Sequence, residues 1–349
     1  SKYNWLNLSF VTGFSKNLMQ GTKFRFMGIY KKTFTVVGLA VLAFVICLST
    51  KGLSTSIDFT GGRNYVVAFE NPVEPEEIRS ELSMAFPGAS TSALALGTDH
   101  KTIRISTNYK IESNSPTIDD ECENILYKTL SKTGHLTQKS LEAFKNPDIR
   151  EGGSIISSTK VGPSIAKDIT YKAFISVLVA LIAIFLYIML RFRNVAFSVG
   201  SVVALAIDAL VVIGMYSLLW GLVPFSLEID QVFIGAILTV IGYSINDKVV
   251  VFDRIRENLK LYPKRDLQVN FNNSLNETLA RTINTSLSTL LVLLCIFILG
   301  GDSIRSFSFA MILGVVFGTL SSIFVSAPVA YLTLGRKIKD AGFNEEQEK

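Results

Sequence analysis

Histidine and cysteine are scarce in this chain of 349 residues, which limits the chemistry available to it. No cluster of metal-ligating residues accompanies His100 or His135, so we expect both to be solvated surface residues and expect no metal site. Of the three cysteines, Cys47 and Cys295 lie inside apolar runs and Cys122 stands alone in a polar segment. Cysteine usage therefore gives no information on disulfides.

Motifs for enzymatic chemistry are also missing. The sequence contains no P-loop, no membrane-protease motif and no nucleophile–base pair. Its apolar runs contain no histidine and no paired catalytic carboxylates, which argues against a metalloprotease. We therefore expect a protein that is not an enzyme and that binds no cofactor.

Long apolar runs are the dominant feature of the sequence. Apolar residues make up 49% of the chain, and the mean hydropathy is +0.39. A hydrocarbon core of about 30 Å requires roughly 20 residues of helix. Six segments satisfy this requirement, and the sequence predicts a multi-pass α-helical membrane protein with spans at 33–53, 172–190, 195–219, 228–252, 279–299 and 306–334.

The distribution of Lys and Arg predicts the orientation of these spans. The turns at 220–227 and 300–305 contain only Arg305, whereas the loops on the other side of the membrane are basic. Cytoplasmic loops are enriched in Lys and Arg, so we expect both termini in the cytoplasm. The net charge of +5 is explained by this asymmetry, and no nucleic-acid partner is expected.

These assignments divide the chain into five parts. They are a cytoplasmic N-terminal segment at 1–32, the first transmembrane helix at 33–53, an exported domain at 54–171, transmembrane helices 2–6 at 172–334, and a cytoplasmic tail at 335–349. The chain begins with Ser rather than Met, as expected after removal of a tag or of an upstream part of a longer polypeptide.

The exported segment has the pattern of a small α+β domain. Strands are predicted at 64–69, 91–96 and 102–106 from their β-branched and aromatic residues. Helices are predicted at 75–86, which has Pro at its first turn, and at 118–130, which has one apolar face. This order indicates a ferredoxin-like βαββ(α) unit.

Three charged residues inside the predicted spans are candidates for ion or proton coupling. Asp247 is in the fourth span, Arg281 is near the start of the fifth, and Asp208 is in the middle of the third. An Asp at the centre of a membrane helix costs roughly 2.5–3.5 kcal/mol, so such residues are usually functional. Asp247 and Arg281 have similar predicted depths, and we expect them to pair, with protonation of the carboxylate releasing Arg281.

Other readings of these charges remain open. Asp247 and Arg281 also fit a static ion pair, or two side chains that reach the headgroups. Asp208 fits either a second relay group or a neutral carboxylic acid bonded to a neighbouring helix. The polar series 284–289 could line a water path or hold helices together.

Three separated motifs resemble the SecF family, the smaller membrane subunits of the SecD–SecF protein-export accessory. They are Asp58-Phe59-Thr60-Gly61-Gly62, Val161-Gly162-Pro163, and the long run from Gly242-Tyr243-Ser244 through Asn246-Asp247 to Asn258. In the first two, Gly61, Gly62, Gly162 and Pro163 are typical of turns or hinges beside the membrane, and Asp58 can bond nearby amides. Contact with substrate is the alternative.

The resemblance implies a fold and a function. It implies an inner-membrane protein of the resistance-nodulation-division (RND) superfamily that uses the protonmotive force to assist late translocation of unfolded pre-proteins after the SecYEG–SecA stage. The implied partners are SecD, as a separate chain or a fused upstream half, and the SecYEG translocon, with YidC and YajC as further candidates.

Asp247, Arg281 and Asp208 match the family's charged residues, with H⁺ as the coupling ion and Na⁺ as the alternative. An efflux or lipid transporter of the same superfamily and a structural scaffold for the translocon are the competing functions.

One departure from the family pattern lies beside Asp247. Lys248 occupies the position where the resemblance leads us to expect a small hydroxyl residue. We expect the ammonium either to alter the pKa of the neighbouring carboxyl or to reach towards the cytoplasm.

Overall fold

The computed structural model describes residues 23–112, 117–149, 151–223 and 225–335. In chain order, the first elements are α1 (Tyr30–Thr50), α2 (Ile57–Thr60), β1 (Gly62–Ala68), α3 (Pro75–Ala85), β2 (Thr91–Ala95), β3 (Thr102–Thr107), α4 (Thr117–Lys132), α5 (Leu141–Lys145) and β4 (Ser154–Val161). They are followed by α6 (Pro163–Phe192), α7 (Val195–Leu219), α8 (Gln231–Leu261), α9 (Leu267–Leu299) and α10 (Asp302–Ser321). Most of the predicted segment 1–32 and nearly all of the tail at 335–349 lie outside the described residues.

Six of these helices are long and apolar enough to cross a bilayer, which confirms the predicted membrane architecture. They are α1 and α6 to α10, and α10 continues through a π-helical turn at Ser322–Ser326 to Gly335. Asn194, Asp230 and Asp266 cap α7, α8 and α9, because their side chains accept hydrogen bonds from backbone amides of the first turn.

The ends of α8 and α9 at their shared loop differ from the predicted spans. α8 runs to Leu261 rather than ending at 252, and α9 begins at Leu267 rather than at 279. The hydropathy of both helices falls where their charged residues begin, but α8 and α9 still pack against each other there. Phe252 and Ile255 of α8 are buried in one cluster with Phe271 of α9. The two helices therefore form a hairpin that extends beyond their apolar parts.

The segment between α1 and α6 is the predicted α+β domain. Its sheet has the strand order β2-β3-β1-β4, and every neighbouring pair is antiparallel, as in a ferredoxin-like fold. The core lies between this sheet and the helices, where Tyr65 and Ile103 pack with Ile78 of α3 and Leu126 of α4. Strand β4 was not predicted, because most of it is polar and only Ser154 and Ile155 are buried.

Candidate functional site

Asp247 lies inside the helix bundle, where it contacts two other helices. Its side chain is buried, and its Oδ2 atom is 3.3 Å from the hydroxyl oxygens of both Ser286 in α9 and Thr319 in α10. Those two hydroxyl oxygens are 2.6 Å from each other. One carboxylate thus connects three membrane helices through a compact group of hydroxyls.

The expected ion pair between Asp247 and Arg281 is not present. Arg281 is exposed and has no carboxylate within 4.0 Å among the described residues. Asp247 contacts Ser286, so Arg281 lies five residues, or about 7.5 Å along α9, nearer Leu267 and on another face of the helix. The prediction failed on the helix face and not on the count from the helix ends: Asp247 and Arg281 are 14 residues from Leu261 and Leu267 respectively, yet Arg281 lies on an exposed face of α9.

The buried ion pair of the bundle is formed by Asp208 and Lys248. Lys248 Nζ is 2.8 Å from Asp208 Oδ2, and their side chains are 0% and 1% exposed. Lys248 therefore does not reach towards the end of its helix. Asp208 has a cationic partner on a neighbouring helix, and its role as a relay group stays a prediction.

The sequence contained a signal for this pair that depends on the helix ends. Asp208 and Lys248 are each 13 residues from the end of their helix that lies away from the α+β domain, counted from Val195 and Leu261 respectively, so their depths match as a pair requires. With the fourth span ending at 252, Lys248 was close enough to the predicted membrane surface for its ammonium to reach water. The extended helix makes the two depths equal.

Three residues of the polar series of α9 lie beside α8. Ser286 contacts Asp247, and Tyr243 of α8 lies with its hydroxyl 2.8 Å from Thr289 Oγ1 and 3.3 Å from the carbonyl oxygen of Thr285. These contacts hold α8 against α9 beside the buried carboxylate.

The two short motifs at the border of the α+β domain are in contact with each other. Gly61 has φ +78°, and a Cβ atom there would lie 3.3 Å from the Val161 carbonyl oxygen and 3.4 Å from Pro163 Cα. At Gly62 a Cβ atom would be 2.7 Å from the carbonyl oxygen of Thr107. The glycines therefore permit a close approach of β1 to β3 and to the junction of β4 and α6, where Gly162 caps α6 and Pro163 begins it.

The first motif also touches the beginning of α8. Ser56 donates its backbone amide to the Ile229 carbonyl at 2.9 Å, and Ile229 donates to the Ser54 carbonyl at 2.7 Å. Asp58 Oδ2 accepts a longer hydrogen bond, 3.4 Å, from the amide of Gln231, the first residue of α8. The helix that carries Asp247 is thus connected at its first turn to the segment leading into the α+β domain.

A small polar cavity of about 30 Å³ lies between the domain and the bundle at this connection. Asp58, Arg104, Glu228 and Asp230 are among its lining residues. The pKa of Glu228 is raised above its usual value, mainly because the carboxyl is buried. A hydrogen bond with Ser92 opposes this shift, and the negative charge of Asp230 adds to it. Sequence analysis selected Asp58 but not Arg104, Glu228 or Asp230, because these residues come together only through the docking of the sheet on the bundle.

The expectation that no ligand cluster accompanies the histidines was wrong for His135. Its Nε2 atom is 3.2 Å from Glu81 Oε1, and Glu77 lies one helical turn before Glu81, with one ligand atom from each residue all within 4.8 Å. Residues 77 and 81 share one face of α3, which His135 approaches from beyond the end of α4. That the chain needs no metal stays a prediction.

Comparison with known proteins identifies the family. The family described as "Protein export membrane protein SecD/SecF, C-terminal" matches residues 142–336, and the "SecD/SecF GG Motif" matches residues 48–73. The chain is 38% identical over 312 residues to "Protein translocase subunit SecF" of Rhodothermus marinus, covering 89% of this chain and 94% of the relative. It is 30% identical over 310 residues to the same-named protein of Pseudomonas aeruginosa, covering 89% and 91%.

Longer relatives match as well. "Protein translocase subunit SecDF" of Thermus thermophilus is 36% identical, with 91% of this chain matching 40% of that protein. The crystal structure of SecDF from the same organism, called a translocon-associated membrane protein, superposes with a TM-score of 0.70 at 33% identity. It covers 91% of this chain and 39% of the solved chain, so this chain spans about two fifths of the fused protein. The chain belongs to the SecD/SecF family of protein-export membrane proteins and corresponds to its SecF part.

Proposed function

We propose that this chain is an accessory subunit of the Sec machinery that uses the protonmotive force to assist the late translocation of pre-proteins, together with SecD. It is not an enzyme in this proposal. The observation that supports it best is Asp247, a buried carboxylate in mid-bundle with no cation within 4.0 Å among the described residues. A carboxylate in that position is the group that a transmembrane proton gradient can charge and discharge.

Protonation of Asp247 has a mechanical consequence. The ionised carboxylate requires a donor from the Ser286 and Thr319 hydroxyls, because a buried charge without partners is strongly unfavourable. These hydroxyls are 2.6 Å apart, so one donates to the other and at most one proton is left for Asp247 Oδ2. When the carboxyl is neutral, Ser286 and Thr319 are free to bond elsewhere, and the contact of α8 with α9 and α10 changes. A difference of this kind between two protonation states provides the two-state element that coupling needs.

The contacts at the start of α8 offer a path from Asp247 to the α+β domain. A movement of α8 acts directly on Ser56 and Asp58, and through the glycines at 61 and 62 on strand β1. Those glycines and Pro163 then act as a joint between bundle and domain, without touching substrate. This path supports a movement of the domain that follows the charge state of Asp247.

We propose the bacterial inner membrane as the location, with both termini in the cytoplasm and residues 54–171 outside it. The proposal rests on basic residues at the proposed cytoplasmic ends of the helices, including Arg191 and Arg193 after α6 and Lys260 in the last turn of α8. The α+β domain lies at the opposite ends of these helices.

SecD is the partner that the exposed faces of the bundle support. On α8 the residues Gly235, Thr239, Gly242 and Asn246 form an exposed stripe, and a Cβ atom added at either glycine would meet nothing within 4 Å. On α9 a second exposed stripe carries Arg281, Asn284 and Ser288.

Polar and charged groups facing lipid at mid-membrane are costly, whereas small residues permit close helix packing. A second membrane chain that covers both stripes removes this cost. Gly314 and Gly318 are instead used inside the chain, where α10 packs closely on Val240 and Ser244 of α8. SecYEG, with YidC and YajC, completes the proposed assembly.

Gly242→Leu is expected to weaken the association with SecD by about 1–3 kcal/mol, because a leucine overfills a close helix contact. That corresponds to roughly 5- to 150-fold weaker association. Co-purification of tagged SecD after mild detergent extraction measures it. The fold should be unchanged, since no atom of this chain occupies the space.

Gly38→Leu is the matched control. Gly38 is an exposed glycine of α1 that also has nothing within 4 Å of an added Cβ atom, but it lies outside both stripes. We expect full recovery of SecD with this variant. Equal recovery with both variants would place the partner on another face of the bundle.

The function itself is tested by export into inner-membrane vesicles. Vesicles with SecYEG, SecA and SecD are prepared with and without this chain, and completion of translocation of a secreted reporter is followed with and without an imposed proton gradient. We expect the gradient to accelerate completion only when the chain is present. An identical gradient response in both preparations would contradict the proposal, and replacing the proton gradient by a sodium gradient distinguishes the two coupling ions.

A further inference from the structure

Lys248 is enclosed in a complete set of oxygen acceptors. Its Nζ atom lies 2.8 Å from Asp208 Oδ2, 2.5 Å from Ser244 Oγ and 3.1 Å from Ser321 Oγ. A lysine ammonium has three N–H donors, so these contacts, which come from α7, α8 and α10, satisfy all of them. Every member of the group is buried.

The oxygens around the ammonium are held in place by bonds that do not involve Lys248. The Ser244 hydroxyl donates to Asp208 Oδ2 at 2.7 Å, and the Ser321 hydroxyl donates to the Gly318 carbonyl at 3.1 Å. Because both hydroxyl protons are used in this way, the oxygen lone pairs remain for the ammonium. The three oxygens are therefore arranged to receive a cation.

The charge of the group fits a monovalent cation. It contains one carboxylate and two neutral hydroxyls, so a single positive charge makes it neutral, whereas a divalent ion would leave a buried excess of charge. Oxygen ligands of this kind suit hard cations. Ser321 is also the last residue before the π-helical turn at Ser322–Ser326, and such turns occur mostly at functional sites.

We propose that Asp208, Ser244 and Ser321 form a binding site for a monovalent cation and that the Lys248 ammonium permanently occupies it. The chain carries its own tethered cation at this position. Shortening Lys248 to a small residue opens the site to Na⁺ from solution.

The proposal has a consequence that rests on the proposed function. Asp208 keeps a cation that cannot leave, so it does not exchange ions during the transport cycle. Asp247, the adjacent carboxylate without such a partner, is then the group that responds to the gradient. Lys248 therefore acts as a positioning and specificity-determining residue that keeps one of two neighbouring carboxylates out of ion exchange.

The test compares Lys248→Thr with Lys248→Met in the purified full chain. Both variants remove the charge, but Thr leaves room beside Asp208, whereas Met fills it with an apolar chain of similar length. We expect saturable binding of about one ²²Na⁺ per chain to Lys248→Thr, and none to the parent or to Lys248→Met. At constant ionic strength, NaCl in place of choline chloride should raise the unfolding temperature of Lys248→Thr alone, because a ligand that binds only the native state stabilises it.

The double variant Lys248→Thr with Asp208→Asn identifies the ligand, and it should lose the sodium binding. Folded Lys248→Thr that binds no ²²Na⁺ would overturn the proposal. If Lys248→Thr does not fold in choline buffer, its folded yield in sodium buffer decides: recovery that depends on sodium supports the site, and equal loss in both salts contradicts it. Since no readout involves export, the site and the proposed function fail or succeed separately.

Discussion

Asp247→Asn is expected to abolish the gradient-dependent part of export while leaving the fold and membrane insertion nearly unchanged. The asparagine side chain has almost the same shape, and its amide can bond the hydroxyls of Ser286 and Thr319 that now face the carboxylate. Among the described residues, Asp247 forms no ion pair, so the substitution leaves no cation without its partner. The change in the free energy of unfolding should stay within about 1 kcal/mol, the net contribution of a typical hydrogen bond.

The measurement is the export rate of a secreted reporter against the size of an imposed proton gradient. We expect a flat response for the variant and a rising one for the parent, with equal rates at zero gradient. If the variant is expressed at the parental level and still responds to the gradient, Asp247 is structural, and coupling must be sought at another group of this chain or in SecD.

Asp253→Asn is the matched control for this experiment. It is the same substitution on the same helix, but Asp253 pairs with Arg191 at 2.8 Å towards the Leu261 end of α8, and both side chains are partly exposed. Ion pairs of this kind contribute roughly 0–1 kcal/mol. We expect a normal gradient response from this variant, so that loss of a carboxylate on α8 is not by itself sufficient to stop coupling.

The sequence predicted the membrane helices well because hydrophobicity over about 20 residues is a local property. It predicted their ends poorly, because the ends depend on packing between segments. The last turns of α8 look like a charged surface helix in sequence, yet Phe252 and Ile255 are fully buried against α9. Strand β4 was missed for a related reason: it is a polar edge strand that is specified by its pairing with β1.

The errors at the helix ends propagated into the candidate site. A charge pair across two antiparallel helices can be predicted only if the depths of both residues are known to within about one turn, or 5.4 Å. A position near the membrane surface was one of the two expectations for Lys248 because α8 was ended too early. Arg281 was paired with Asp247 on depth alone, and the observed helix ends leave both residues 14 residues in. Which face of a helix a residue occupies is also a tertiary property, and only the bundle shows that Asp247 and Lys248 contact different neighbours.

The turn motifs present the opposite case. Positive φ values and helix starts have local sequence requirements, and Gly61, Gly62 and Pro163 have the expected local conformations. The hinge role of these residues, of Asp58 and of Gly162 stays a prediction. The sequence could not show that the two motifs are in contact with each other. Some 100 residues separate the two motifs, and they are brought together by the antiparallel pairing of β1 with β4, in which Gly62 lies opposite Val161.

Breaking the buried ion pair on one side is expected to be the most destabilising single change in the bundle. Lys248→Met leaves the Asp208 carboxylate buried without a cation, and the removal of one partner from a buried pair typically costs about 3–5 kcal/mol. The double variant with Asp208→Asn removes both charges and should recover most of that loss, because a neutral amide can still bond Ser244. The free energy of unfolding in mixed detergent, measured for the parent, both single variants and the double variant, gives the interaction energy of the pair.

Lys172→Met is the matched control, since it breaks a Lys–Asp pair of the same length in a wet environment. Lys172 Nζ is 2.8 Å from Asp168 Oδ2 in α6, but the two side chains are 73% and 55% exposed. Its loss should cost less than about 1 kcal/mol, because water solvates the remaining charge. If Lys248→Met and Lys172→Met destabilise the chain equally, water reaches Asp208, and the bundle is wetter around this carboxylate than the contacts of Ser244 and Ser321 indicate.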